Sequence, residues 1–274
     1  MAALLIPSPQ GTTRLFAMLG YPVGQVMAPT MINQLFHEMR HDAVMVPVEV
    51  PPQQLDVVMQ GLKAMDNFDG MIVTIPHKFA VVAHAEVRSS AVELSGAANV
   101  LRRDADGRWS CDNFDGQGFV AGLRKHGHDP RGRQVSLVGT GGAGAAIATA
   151  LVEAGAAQVH VFDADEQKAR QIAARLNAYR AGSISISEVG PMLDDVSIAI
   201  NATPLGMKPR DALPFDVNHL PAGALVADIV MKPHETRLLK AASSRGLPVH
   251  HGINMLAPQI EMCRRFFRLR AGPA

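Results

Sequence analysis

The sequence predicts a two-domain α/β protein, and three observations carry that prediction. Short β-branched runs alternate with helical patterns along the chain, as parallel sheets covered by helices require. A glycine-rich turn in the second half joins an apolar strand pattern to an Ala-rich helix pattern, the setting in which such turns bind phosphates. A basic stretch with proline and glycine, RKHGHDPRGR at 124–133, interrupts the alternation and reads as an edge between two units.

At 274 residues the chain can bury a sizeable core, in one large domain or two modest ones. Its apolar fraction of 47% and charged fraction of 19% are those of a soluble globular protein. A net charge of +1, with both signs interspersed, offers no footprint for nucleic acid or an anionic membrane. Two cysteines, Cys111 and Cys263, make no disulfide framework and suit a reducing cytosol. The first residues carry no basic leader, Pro7 and Pro9 break their apolar run, and no signal peptide is expected. No apolar run approaches the ~18–20 residues of a membrane span. A cytoplasmic enzyme or small-molecule binder is the expectation.

In chain order, RLFAMLG (14–20) reads as a buried strand and PTMINQLFHEMR (29–40) as a helix with Pro29 at its first position. AVMVPVEV (43–50) is a strand, PQQLDVVMQGLKAM (52–65) a helix, and GMIVTIP (70–76) a strand stopped by Pro76. GAANVLRRDADGRWSCDNFDG predicts a hairpin turning at Asp106-Gly107, followed by a helix near 116–126. Beyond the edge come the strand QVSLVG, the helix GAGAAIATALVEAG, the strand AQVHVFDAD and the helix EQKARQIAARLNA. VSIAINATP, ALVADIV and PVHH follow as strands, with the helix TRLLKAASSRG before the last of them and another after GINMLAPQ.

Gly139, Gly141 and Gly144 have the spacing G-x-G-x-x-G, directly after a strand and at the opening of a helix. That context assigns them the tight turn, the close approach of backbone to a pyrophosphate, and helix-on-strand packing. The helix N-terminus adds unpaired N–H groups and a positive dipole end. A Rossmann-type NAD(P)-binding domain with a parallel sheet is therefore predicted. Asp163 ends the next strand, about 20 residues on, where the acid that binds the ribose hydroxyls belongs. It could equally cap the helix after it, or do both. A carboxylate there repels a 2′-phosphate, and Ala164-Asp165 follow instead of an arginine, so NAD is expected over NADP.

Four further motifs, IVTIPHK (72–78), CDNFDGQG (111–118), NATPLGM (201–207) and GINMLAPQ (252–259), surround this loop in order. Together they make the chain resemble the shikimate/quinate dehydrogenase family over nearly its whole length. The resemblance implies reversible hydride transfer between a cyclic hydroxy acid and nicotinamide. It carries the proton-handling pair onto Lys78 and Asp115, with Asp112 a turn or cap residue. Read without the family, Lys78 is a solvated strand-end lysine and Asp115 a helix-starting acid. The resemblance also puts Thr74, Asn99 and Gln259 at positions that hydrogen-bond ring hydroxyls. It brings Gly139, Thr140, Gly141, Gly142, Ala143, Asp163, Thr203, Ile229 and Gly252 to the nucleotide.

The chain departs from the family where substrate is recognised. In the loop GYPVGQVMAP (20–29) the two serines that hold the substrate carboxylate become Val26 and Ala28, and a histidine becomes Gln25. An asparagine becomes Ile72, a threonine Phe114 and a tyrosine Met231. A hydrogen bond to a charged group contributes ~1.5–3 kcal/mol, so losing two without replacement weakens carboxylate binding roughly a hundredfold or more. Gln25, backbone N–H groups or a water could compensate. The expected enzyme is weak on shikimate itself, and the alternative is a catalytically feeble dinucleotide-binding sensor.

HEMRH (37–41) spells H-E-x-x-H but lies at a helix end with a strand immediately after it, so no metal is expected there. His250-His251 and His126/His128 lack a second pair at ligand spacing and read as strand and loop residues. The expected organisation is a substrate-binding domain over 1–112, the dinucleotide domain over 113–252, and a C-terminal helix within 253–274 returning to the first domain. A monomer or homodimer is expected.

Overall fold

The computed structural model describes residues 8–270. The first residues, where no leader is expected, and the last four lie outside the described residues. The chain divides into two compact units. One comprises 1–92, 97–113 and 260–274; the other comprises 93–96 and 114–259.

The first unit contains β1 (Arg14–Gly20), α1 (Ala28–Glu38), β2 (Ala43–Glu49), α2 (Leu55–Ala64), β3 (Phe68–Val73) and β4 (Val87–Arg88). Helix α3 (Ser90–Ser95) follows, its last residues belonging to the second unit, and then β5 (Val100–Arg103) and β6 (Trp109–Asp112). The sheet order is β2-β1-β3-β5-β6-β4. It is mixed: β1 pairs in parallel with β2 and β3, but β5 runs antiparallel to both β3 and β6. The antiparallel β5–β6 pair is the hairpin the sequence predicts, because a tight hairpin can only join antiparallel strands. Gly107 makes that turn possible, with φ +83°. Pro47, which cannot donate to a ladder, sits on the edge strand β2. Stacked Phe68 and Trp109 anchor the core, with Leu19, Met59, Met71 and Leu101 buried around them.

The second unit contains α4 (Asp115–Lys125), β7 (Gln134–Val138), α5 (Gly142–Glu153), β8 (Gln158–Phe162), α6 (Glu166–Tyr179), β9 (Ile184–Ile186) and β10 (Ile198–Asn201). It continues with β11 (Leu225–Asp228), α7 (Arg237–Ser244), β12 (Val249–His251) and α8 (Ile253–Phe266). From Ile260 onward α8 belongs to the first unit. The six strands run β12-β11-β10-β7-β8-β9, all parallel. This is the doubly wound order, reversing between β7 and β10, and ligands of such sheets bind at the carboxyl ends of the strands beside that reversal. Ala-rich α5 is buried almost throughout, because small side chains let it lie close on the sheet. The three-residue strands β9 and β12 and the two-residue β4 are held by their neighbours and carry little periodicity of their own.

Candidate active site

The glycine loop leaves β7 at the reversal point. Gly139 has φ +96°, and a Cβ there would meet Thr203 at 2.8 Å and the Ala202 carbonyl carbon at 2.9 Å. A Cβ on Gly144 would overlap the Gly139 carbonyl, so this glycine packs helix onto turn. A Cβ on Gly141 would meet nothing within 4 Å. Gly141 is the N-cap of α5 and supplies no side-chain acceptor to the first-turn N–H groups. Open space in front of uncapped helix N–H groups is what a pyrophosphate needs, and the residues present fit a dinucleotide. Gly142 and Ala143 begin that first turn, and Thr140 beneath it is buried.

Asp163 does not cap the helix that follows it. The N-cap of α6 is Asp165, without a side-chain cap bond. One Asp163 oxygen accepts from the Thr140 N–H at 2.6 Å and the Thr140 hydroxyl at 2.9 Å, and the other from the Asp165 N–H at 2.9 Å. The carboxylate thus locks the glycine loop to the end of β8, half-buried beside the phosphate cradle.

Two polar residues that the sequence reading did not single out organise the neighbouring strand ends. Asn201 and Asp228 stand side by side in the β10–β11 register. The Asn201 amide donates to Asp228 at 3.0 Å and to the Leu205 carbonyl at 2.9 Å. Its oxygen accepts from the Thr203 N–H at 3.0 Å and hydroxyl at 2.7 Å, which shapes the turn carrying Thr203. Asp228 accepts from the Val230 N–H at 3.0 Å and the Thr236 hydroxyl at 2.7 Å. Burial pushes its carboxyl above the ordinary value, opposed by those hydrogen bonds. The available signal was a single polar residue ending each apolar run, in AIN and VAD. Gly252 packs with no room for a Cβ, which would lie 2.6 Å from the Ile229 carbonyl oxygen. Ile229 and Met231, on the segment after β11, pack half-buried against the core of this unit.

Asp115 opens α4 and is buried, and the Gln259 amide of α8 donates to its carboxylate at 3.3 Å. Gly118 permits that approach, since a Cβ there would meet Gln259 Cγ at 2.7 Å.

In the first unit, the turn after β3 carries Thr74, the Ile75–Pro76 cis peptide and Lys78. It is fixed by backbone bonds: Thr74 N–H to Leu19 O at 2.8 Å, Tyr21 N–H to Ile75 O at 2.9 Å, and Ala98 N–H to Lys78 O at 2.8 Å. A Cβ on Gly20 would run into the Thr74 methyl, so that glycine lets the loop and the turn meet. Lys78 is only 8% exposed, which corrects its reading as a solvated strand-end lysine. Asn99 is buried alongside, its backbone bonded to Val73 and Asp112. Asp112 is the last residue of β6 and not a turn residue, its carboxylate accepting from the Ser89 hydroxyl at 2.5 Å and the Asn113 N–H at 2.7 Å.

Two polar groups of the loop 20–29 are bonded within it. The Gln25 amide donates to Pro22 O at 3.0 Å, and the Val26 N–H donates to Val23 O at 3.1 Å. Val26 is half-buried and Ala28 buried at the first position of α1. The H-E-x-x-H pattern is broken by the fold: α1 ends at Glu38, Arg40 takes φ +51°, and His41 lies beyond the helix.

A doubly wound parallel sheet with this glycine loop and acidic partner defines a dinucleotide-binding protein of the Rossmann type. Residues 18–101 match the shikimate dehydrogenase substrate-binding domain, and 123–206 match the shikimate/quinate 5-dehydrogenase domain. A shikimate dehydrogenase (NADP(+)) of Rubrobacter xylanophilus is 35% identical over 93% of this chain and 90% of its own. The 5-ketofructose reductase of Gluconobacter sp. strain CHM43 superposes with TM-score 0.81, at 30% identity, over 95% of each chain. The quinate dehydrogenase of Corynebacterium glutamicum, solved with NAD, superposes with TM-score 0.83, at 27% identity, over 95% of each chain. The chain belongs to the shikimate/quinate dehydrogenase family, and is an oxidoreductase of that family. Among the described residues no helix is long and apolar enough to cross a membrane.

Proposed function

We propose that this protein is an NAD-preferring dehydrogenase of a polyhydroxylated ring compound, related to shikimate or quinate but weak on shikimate itself. The observation carrying the proposal is the apolar recognition loop: Val26 and Ala28 replace hydroxyl donors, while the Gln25 amide and the Val26 N–H are bonded within the loop. The Val26 N–H and one of the two Gln25 amide hydrogens are therefore engaged before any carboxylate arrives, which supports weak carboxylate binding.

The turn from Gly139 to Ala143, with Asp163, Thr203, Ile229 and Gly252, would hold the dinucleotide, which would supply hydride acceptance and donation. Lys78 and Asp115 would form the proton-handling pair, whose basic member would take the one hydroxyl proton as the carbinol is oxidised and return it in the reverse reaction. Burial of both supports this role, because a proton-handling pair must be shielded from bulk water. The Gln259 amide orients the Asp115 carboxylate, and Thr74, Asn99 and Gln259 take the ring hydroxyls. Met231 contributes an apolar wall. The negative charge of Asp163, followed by Ala164 and Asp165, supports NAD over NADP.

A second reading is favoured by the same loop: an uncharged polyhydroxy ketone as the substrate. A ligand without a carboxylate loses nothing when the serines are absent, and a ketofructose reductase is among the similar structures. Steady-state kinetics with shikimate, quinate and neutral polyhydroxy ketones, each with both nucleotides, tests both readings. Shikimate turnover at ordinary family efficiency with a micromolar KM overturns them. Lys78→Ala is expected to abolish turnover while NADH still binds.

A further inference from the structure

We propose that His234, Glu235 and His251 form a binding site for one borderline divalent transition cation, with zinc the favoured occupant. In sequence the histidines are far apart and neither has a partner at ligand spacing. The parallel β11–β12 pairing brings them together. Asp228, the last residue of β11, stands opposite His251, the last of β12, so the segment leaving β11 passes the end of β12. His251 thereby comes from a strand and the other two residues from the connection to α7.

One ligand atom from each of the three side chains lies within 4.8 Å of the others. His251 Nε2 is 2.5 Å from a Glu235 carboxylate oxygen, and His234 Nδ1 is 3.8 Å from the same oxygen. The two imidazoles stack face to face, centroids 4.4 Å apart and planes 16° from parallel. Ligands about 2.0–2.1 Å from a tetrahedral zinc are roughly 3.4 Å from each other. His234 and Glu235 are exposed and His251 half-exposed, so solvent surrounds the side chains that would rotate to that spacing. Two imidazoles and one carboxylate are a donor set suited to zinc, cobalt and nickel, and poorly suited to magnesium or calcium, which take oxygens. With three protein ligands the remaining coordination positions open to solvent.

The scaffold is firm on each side. Val230 N–H and the Thr236 hydroxyl are both tied to Asp228, and Thr236 caps α7 through the Leu239 N–H at 3.2 Å. The short span between them carries His234 and Glu235. A cation there clips this span to β12, next to the backbone contact of Gly252 with Ile229. The inference is independent of the dehydrogenase reading, and its test uses metal alone.

Protein stripped with chelator and dialysed is titrated with Co²⁺, followed by visible absorption, and with Zn²⁺, followed by calorimetry. The expected result is one equivalent per chain, with d–d bands of a four- or five-coordinate cobalt site. His251→Ala, His234→Ala and Glu235→Gln should each weaken binding at least tenfold. His37→Ala and His126→Ala, in the two other histidine groups, should leave it unchanged. Absence of saturable binding overturns the proposal. So does stoichiometric binding that survives His251→Ala or disappears in either control.

Discussion

Gly141→Ala separates nucleotide binding from folding at a single methyl group. Gly141 has φ −61° and ψ −177°, which alanine adopts without strain. The added Cβ meets nothing within 4 Å, so the folded state pays no steric penalty. Reduced unfolded-state entropy should stabilise the protein by ~0.4–1 kcal/mol, a rise in melting temperature of ~1–4 °C for a chain of this size. The same methyl fills the space through which a pyrophosphate reaches the uncapped N–H groups of α5. A hydrogen bond from protein to a charged group is worth ~1.5–3 kcal/mol, so losing one weakens dinucleotide affinity roughly ten- to hundredfold. Gly144→Ala is the counterpart. Its Cβ overlaps the Gly139 carbonyl, forces the turn to move, and should destabilise the fold by ~1–3 kcal/mol. Thermal melts without nucleotide and fluorescence titration with NADH read the two effects apart. The reasoning fails if Gly141→Ala binds NADH like the parent, or loses as much stability as Gly144→Ala.

Restoring hydroxyls with Val26→Ser and Ala28→Ser together should lower KM for shikimate roughly tenfold or more, without improving turnover of a neutral ketone; initial-rate kinetics with both substrates checks it. Asp163→Asn removes the charge facing a 2′-phosphate while keeping an acceptor for the Thr140 N–H. It should shift the NADP-to-NAD ratio of kcat/KM toward NADP by roughly tenfold or more, and an unchanged ratio would remove Asp163 from the selectivity argument. Asp228→Asn keeps an oxygen for Val230 and Asn201 and places an amide opposite the Thr236 hydroxyl. Because burial raises the Asp228 pKa, its ionised form costs folding stability at pH values above that pKa, and the cost is relieved as pH falls through it. Denaturant melts from acidic to neutral pH should therefore show the variant gaining on the parent as pH rises and then holding a constant difference from it.

The sequence by itself determined the alternation of strands and helices, the hairpin at Gly107 and the glycine loop. These are local: a period of two or 3.6, a positive-φ glycine and a fixed spacing are all written within a few tens of residues. The family motifs, read together, also determined the kind of chemistry. Tertiary structure decided what depends on strand order. Asn201, Asp228 and His251 lie on separate strands and become neighbours only because β10, β11 and β12 are laid side by side in register. It also decided that Asp163 binds the glycine loop instead of capping α6, and that the Gln25 amide and the Val26 N–H each bond within their own loop. A side chain's partner is set by what the fold brings within about 3 Å, and composition and periodicity carry no information at that distance.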